Sequence, residues 1–201
     1  MLAALGAWSG PRDRSRLLVS TAHRKRALIL FGIATVAFTV VLEVIDPSHV
    51  SHGSTILDFE FAGSHARAAQ IIAEWGAKGR SAAHLSLLLD DANIDSELSY
   101  GLFFALAGFA VCDMARARDW QRLAAIGAVV PFFALVAAGF DASENVALLL
   151  TLAGNGGSVA PPFAAVCSAI KLTLITVVIL YALCGFVLWL RARRLQPSRV
   201  A

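Results

Sequence analysis

Charge is what this chain has least of. Only 15% of its 201 residues are charged, while 58% are hydrophobic, and its mean hydropathy is +0.69. A soluble domain of this size exposes too much surface to be covered by so few charges, so a soluble globular fold is excluded. Cysteine is scarce too: Cys112, Cys167 and Cys184 are the full set. Their odd number and the lack of any C-x-x-C spacing give no disulfide framework. They read as small packing residues in apolar segments. There is no G-x-S-x-G, no H-E-x-x-H, no Walker loop and no dinucleotide fingerprint, so no motif points to a cofactor. The basic residues lack interleaved aromatics, which argues against nucleic acid as a partner.

Long apolar runs take the place of these features. About 20 apolar residues cross a hydrocarbon core about 30 Å thick. Four segments qualify: 27 to about 46, about 85 to 112, 123 to about 152 with Pro131 as a kink, and about 163 to 190. The basic stretch 12–26 before the first run resembles a signal peptide. However, Glu43, Asp46 and Pro47 follow the run where a small-residue cleavage site would stand, so it reads as a retained first span.

Lys and Arg set the expected orientation. Arg12, Arg14, Arg16, Arg24, Lys25 and Arg26 precede span one. Arg116, Arg118 and Arg122 lie between spans two and three, and Arg191, Arg193, Arg194 and Arg199 follow span four. The outer loop 47–84 holds only Arg67, Lys78 and Arg80, and the loop after span three holds none. This positive-inside bias predicts a multi-pass protein of a cell inner (plasma) membrane with both termini cytoplasmic. The organisation is then a basic segment 1–26, one four-span domain 27–190 and a basic tail 191–201. The lipid bilayer is its first partner.

In the outer loop, Ser64 can cap a helix that Gly76 or Gly79 ends, with Ala68, Ile71, Ile72 and Trp75 on one face. Such a helix lies on the membrane or packs on the outer ends of the spans. The fold class is therefore an all-α membrane protein: a four-helix transmembrane bundle, up-down-up-down, with an amphipathic helix in the first outer loop. Gly101, Ala105 and Gly108 share one face of span two. They permit close helix contact within the bundle or in a homo-oligomer.

The spans become polar at one height. Counted from the cytoplasmic ends, 16, 15, 18 and 19 residues precede Glu43, Glu97, Asp141 and Lys171. That is roughly 22–29 Å of helix. Asp91 and Asp95 share a helix face, as do Asp141, Glu144 and Asn145. Asp90 and Glu97 lie on another face, toward solvent. Ionisable groups at membrane depth face the bundle interior, paired or hydrated. Lys171 is the only cation on a span, so an ion pair with Asp141 or Glu144 is the simplest arrangement. The candidate layer is Glu43, Asp91, Asp95, Asp141, Glu144, Asn145 and Lys171, with Tyr100 and Tyr181 able to hydrogen-bond into it. Its carboxylates outnumber its ammonium, so some are protonated, wet or bound to a cation. His49, His52, His65 and His84 in the outer loop form only a weak metal pattern.

Three functions fit: an outer-leaflet pocket for a lipid or small amphiphile, a proton- or cation-coupled carrier, and a structural subunit locked by the layer. Acid–base catalysis is compatible with carboxylates beside a lysine, but no spacing demands it, and the balance falls against an enzyme. The Asp-Phe-Glu-Phe-Ala-Gly stretch at 58–63, Ala-Gln-Ile-Ile-Ala-Glu-Trp at 69–75, Phe-Asp-x-x-Glu-Asn at 140–145 and Lys171 together resemble a family of bacterial four-span membrane proteins with no known activity. The resemblance covers spans one to four and implies a fold and a location without a mechanism.

Overall fold

Apolar runs of this length leave the backbone no partner but itself, and the chain satisfies it as helix. The computed structural model describes residues 14–51, 53–92 and 94–194. The elements in order are α1 (Arg14–Val44), α2 (Ser48–Ser51), α3 (Ile56–Glu60), α4 (His65–Ala92), α5 (Ile94–Ala117), α6 (Gln121–Ile126), α7 (Val130–Leu152) and α8 (Ala160–Arg194). No strand occurs among the described residues. Among the described residues, four stretches are long and apolar enough to cross a membrane: Arg26–Ser51, Tyr100–Ala117, Gln121–Leu152 and Ala160–Ala192. The result is an all-α, up-down-up-down bundle.

The second span begins later than its hydropathy suggests, at Tyr100 and not near 85. Residues 85–92 belong to α4, where Ser86 and Leu87 are buried outside the span. The acidic run 90–97 interrupts the apolar segment, so the chain divides there into two elements. Pro131 does not kink a continuous helix. A turn at 127–129 separates α6 from α7, and Pro131 occupies the first turn of α7, where its missing N–H deprives the helix of nothing.

The outer helix forms on the expected face. Ser64 accepts from the Arg67 backbone N–H at 3.3 Å, a cap worth about 1 kcal/mol. Ala68, Ile71 and Trp75 are buried. Gly76 breaks the helix at φ 59°, ψ −162°, yet helix resumes and runs on to Ala92. A Cβ at Gly76 would meet nothing within 4 Å, so glycine is required there by the backbone angle alone.

Among the described residues, two apolar cores result. The outer one joins Phe59, Ala68, Ile71, Trp75, Ala83 and Leu87 to Ala147, Leu148, Leu152, Ala160 and Ala164. The loop helix therefore packs on the outer ends of α7 and α8. The other core joins Ala105, Val130, Ala134, Val178 and Tyr181 toward the opposite end. The small residues of α5 serve packing within the bundle. A Cβ at Gly101 would lie 3.2 Å from Ala138 Cβ, and one at Gly108 only 2.9 Å from Pro131 Cγ. α1 packs chiefly on α5 and leaves Ile29, Leu30, Ile33, Val36 and Val44 more than 60% exposed. In a membrane that face belongs to lipid.

Candidate acid-rich layer

Between the two cores, α7 and α8 bring polar side chains together. The i, i+3, i+4 spacing of Asp141, Glu144 and Asn145 turns all three inward, with exposures of 5%, 0% and 2%. On α8, the Lys171 ammonium donates to Asp141 Oδ1 at 2.7 Å and lies 2.9 Å from Glu144 Oε2. Lys171 thus engages both of its expected partners. Tyr100, at the start of span two, donates its hydroxyl to Asp141 Oδ2 at 2.8 Å.

A third carboxylate comes from outside the spans. Glu60, the last residue of α3, places Oε2 3.8 Å from the Lys171 ammonium, with its side chain only 16% exposed. α3 is held in position by its own sequence. Thr55 and Asp58 form a reciprocal capping box. The buried Asp46 carboxylate accepts from the backbone N–H groups of Ile56 at 3.0 Å and Ser48 at 2.8 Å. Phe59 packs edge-on against Trp75 at 5.0 Å, and the Trp75 indole N–H donates to the Ser54 carbonyl.

The charges do not balance. Asp141, Glu144 and Glu60 surround one ammonium. Two like charges about 4 Å apart repel by about 4 kcal/mol even at an effective dielectric of about 20. Full ionisation is therefore the costly state, and a further cation or proton relieves it. Burial pushes the Glu60 carboxyl up to about 8. The Lys171 ammonium pulls it down, and the Glu144 and Asp141 carboxylates push it further up. By contrast, Asp58 is held below the usual carboxylate range, first by the Thr55 backbone N–H and then by the Thr55 hydroxyl.

Not every expected residue joins the layer. Glu43 is exposed and faces His49 at 3.8 Å, because α1 packs chiefly on α5 and not on the α7–α8 pair. The side chains of Asp91 and Asp95, with Asp90 and Glu97, lie outside the described residues. Tyr181 donates to the Leu123 carbonyl at 3.2 Å, in the opposite core. Cys112 and Cys167 are buried, whereas Cys184 is exposed. His65 lines a cleft between α4 and the end of α7 and His84 another cleft there, while His52 lies outside the described residues. Among the described residues no three His, Cys, Asp or Glu side chains are grouped to hold a metal ion.

Glu60 is the member that sequence reasoning missed. A carboxylate in a polar loop reads as solvated. The available signal was the T-x-x-D capping box at 55–58, which announces a short helix, with Phe59 and Phe61 on either side of the acid. Compared with family models, with curated proteins and with solved structures, the chain matches none.

Proposed function

We propose that this chain is a multi-pass protein of a bacterial-type plasma membrane, both termini cytoplasmic, that handles protons or small monovalent cations through the layer on α3, α7 and α8. The observation that carries the reading is the convergence of three carboxylates on the single ammonium of Lys171. One lysine neutralises one acid, and the excess negative charge in a poorly hydrated site favours a second positive charge. The depth agrees with this reading. On α8, Lys171 stands 20 residues from Arg191, or about 30 Å of helix, one hydrocarbon thickness from the basic end. The layer then lies at the outer boundary, roofed by α3 and α4, where solvent ions arrive.

The test uses purified protein in nanodiscs and proteoliposomes. Thermal stability should depend on pH and on the choice of sodium, potassium or choline as counter-cation. A pH-sensitive dye should report proton movement in the vesicles. Asp141→Asn and Glu144→Gln should abolish both responses in protein that still folds. Folded wild-type protein without either response would leave the layer as a structural lock.

One observation favours a second reading, the binding of an amphiphile. A cleft of about 550 Å³ between α4 and the end of α7 is lined by His65, Ile72, Arg80 and Leu152 among others, combining basic groups with an apolar floor. Native mass spectrometry should then show a bound lipid-sized mass that survives Asp141→Asn but is lost on Arg80→Ala.

A further inference from the structure

Glu60 differs from every other described member of the layer in where it comes from. Asp141 and Glu144 are on α7, Lys171 on α8 and Tyr100 on α5, all within apolar spans. Glu60 ends a five-residue helix of the outer loop. It is a polar contact by which the outer cap, α3 and α4, reaches the layer beneath it.

The environment of Glu144 is incomplete without a proton. Its side chain is fully buried, and with every carboxyl ionised neither of its oxygens receives a well-directed hydrogen bond, although the Lys171 ammonium is 2.9 Å away. The Glu60 carboxyl is its neighbour across the same ammonium, Glu60 Oε2 at 3.8 Å and Glu144 Oε2 at 2.9 Å from Lys171 Nζ. Two carboxylates cannot bond to each other, since each only accepts. A single proton converts the repulsive pair into an O–H···O⁻ hydrogen bond, a short and strong class. We propose that Glu60 and Glu144 hold one exchangeable proton between their carboxyls, and that this proton latches the outer cap onto the α7–α8 pair. The proposal rests on the reading of the layer as a cation-handling site and names the cation as a proton.

The groups facing the pair are few. α7 adds the Asp141 carboxylate, and α8 adds the Lys171 ammonium and the Cys167 thiol. α5 adds the Tyr100 hydroxyl, which Asp141 accepts. α4 meets α3 through Ala68, Ile71 and Trp75, while its Arg67 and Glu74 pair with each other at 3.8 Å. On α3 itself, the Asp58 carboxylate accepts from the Thr55 backbone N–H and hydroxyl. Lys171 is already shared among three acids, so it does not neutralise both members of the pair. The proton leaves to the outer solution along the exposed edge of Glu60, and two carboxylates then face each other across the joint between cap and bundle. The raised value of Glu60, about 8 against 4.5 for the ordinary group, sets the range. Between those values, opening of the cap becomes up to tenfold more favourable per pH unit.

Infrared difference spectroscopy of the whole protein in nanodiscs tests the proton directly. Wild type should show a protonated-carboxyl carbonyl stretch, shifted in D2O, that disappears as pH rises through about 8 and is missing in Glu60→Gln. Tryptophan emission tests the latch, with Trp75 kept as the sole tryptophan by Trp8→Phe, Trp120→Phe and Trp189→Phe. Trp75 is 2% exposed, and its emission should move to the red on the same titration. Glu60→Gln, whose amide donates to Glu144 at every pH, should hold the emission blue throughout. A titrating carboxyl with a static Trp75 would overturn the latch and leave the proton site. Absence of any protonated carboxyl from about pH 5 to about pH 9 in folded wild type would overturn the shared proton. A sodium or potassium response of the layer would in that case still sustain the broader cation reading, and its absence would sink both.

Discussion

The Lys171 ammonium and the Asp141 carboxylate meet at 2.7 Å across the α7–α8 contact, at a level that neither apolar core reaches. Removing the cation strands buried anions in a poorly hydrated site. Lys171→Met should therefore destabilise the protein by about 3–5 kcal/mol, read as a large drop in unfolding temperature in nanodiscs. Adding Asp141→Asn should restore part of the loss, because the interaction is pairwise and the two substitutions are strongly coupled. Equal stability of Lys171→Met and wild type would mean that the remaining acids protonate at no cost.

Tyr100 supports the same carboxylate from the third helix, through its hydroxyl 2.8 Å from Asp141 Oδ2. Tyr100→Phe keeps the ring and removes one charge-assisted hydrogen bond, a loss of about 1.5–3 kcal/mol. In an Asp141→Asn background the same change should cost clearly less, since the acceptor is no longer charged. A double-mutant cycle on thermal or denaturant unfolding measures the difference. Equal costs in the two backgrounds would show that the hydroxyl does not stabilise the charged form.

Much of this arrangement is legible in the sequence, for a reason that also explains what is not. Asp141, Glu144 and Asn145 recur at helical spacing in an apolar run, and ionisable groups at such depth must turn inward and find a partner. Lys171, alone of its sign on any span, is that partner. Counting residues along a helix yields height but not direction around the bundle. Glu43 matches the layer in height and misses it sideways, because α1 packs chiefly on α5. Gly101, Ala105 and Gly108 likewise reveal a close contact without naming α7 as its other side. Glu60 carries no periodicity at all. Its position depends on tertiary anchors, the Phe59–Trp75 pair and the Asp46–Ile56 hydrogen bond, that join residues ten to sixteen positions apart.

Glycine substitutions should sort by space and backbone angle. A Cβ at Gly127 would run into the Tyr181 hydroxyl and stand 2.7 Å from Cys112 Cβ. Gly127→Ala should therefore cost about 1–3 kcal/mol as the opposite core shifts. Gly76→Ala meets open space but inherits φ 59°, and should cost about 1–2 kcal/mol from backbone strain alone. Gly139 has neither obstacle, being helical with nothing within 4 Å of its Cβ. Gly139→Ala should stabilise α7 by about 0.5–1 kcal/mol. Unfolding temperatures in one lipid background test the ranking, and a stabilising Gly127→Ala would contradict the close approach of the turn at 127–129 to Tyr181.

The pH dependence of unfolding follows from the direction in which Glu60 is displaced. Burial lifts its carboxyl to about 8 from an ordinary value of 4.5. Between these values the folded protein keeps a proton that the unfolded chain releases, so stability falls as pH rises. The contribution is complete below about 4.5 and is lost as pH climbs through about 8. Asp58 runs the other way: its carboxyl is lowered from 3.8 by Thr55, so its smaller contribution is present above that value and fades in more acidic solution. Glu60→Gln removes the titration while preserving shape and a hydrogen-bond donor. The difference in stability between wild type and Glu60→Gln, measured by unfolding at a series of pH values, should therefore slope against wild type from about 4.5 to about 8 and flatten beyond. A flat difference throughout would show that Glu60 has the same proton affinity in the folded and unfolded protein. An opposite slope would mean that the attraction of Lys171 outweighs burial and that Glu60 is a permanently ionised partner of the lysine.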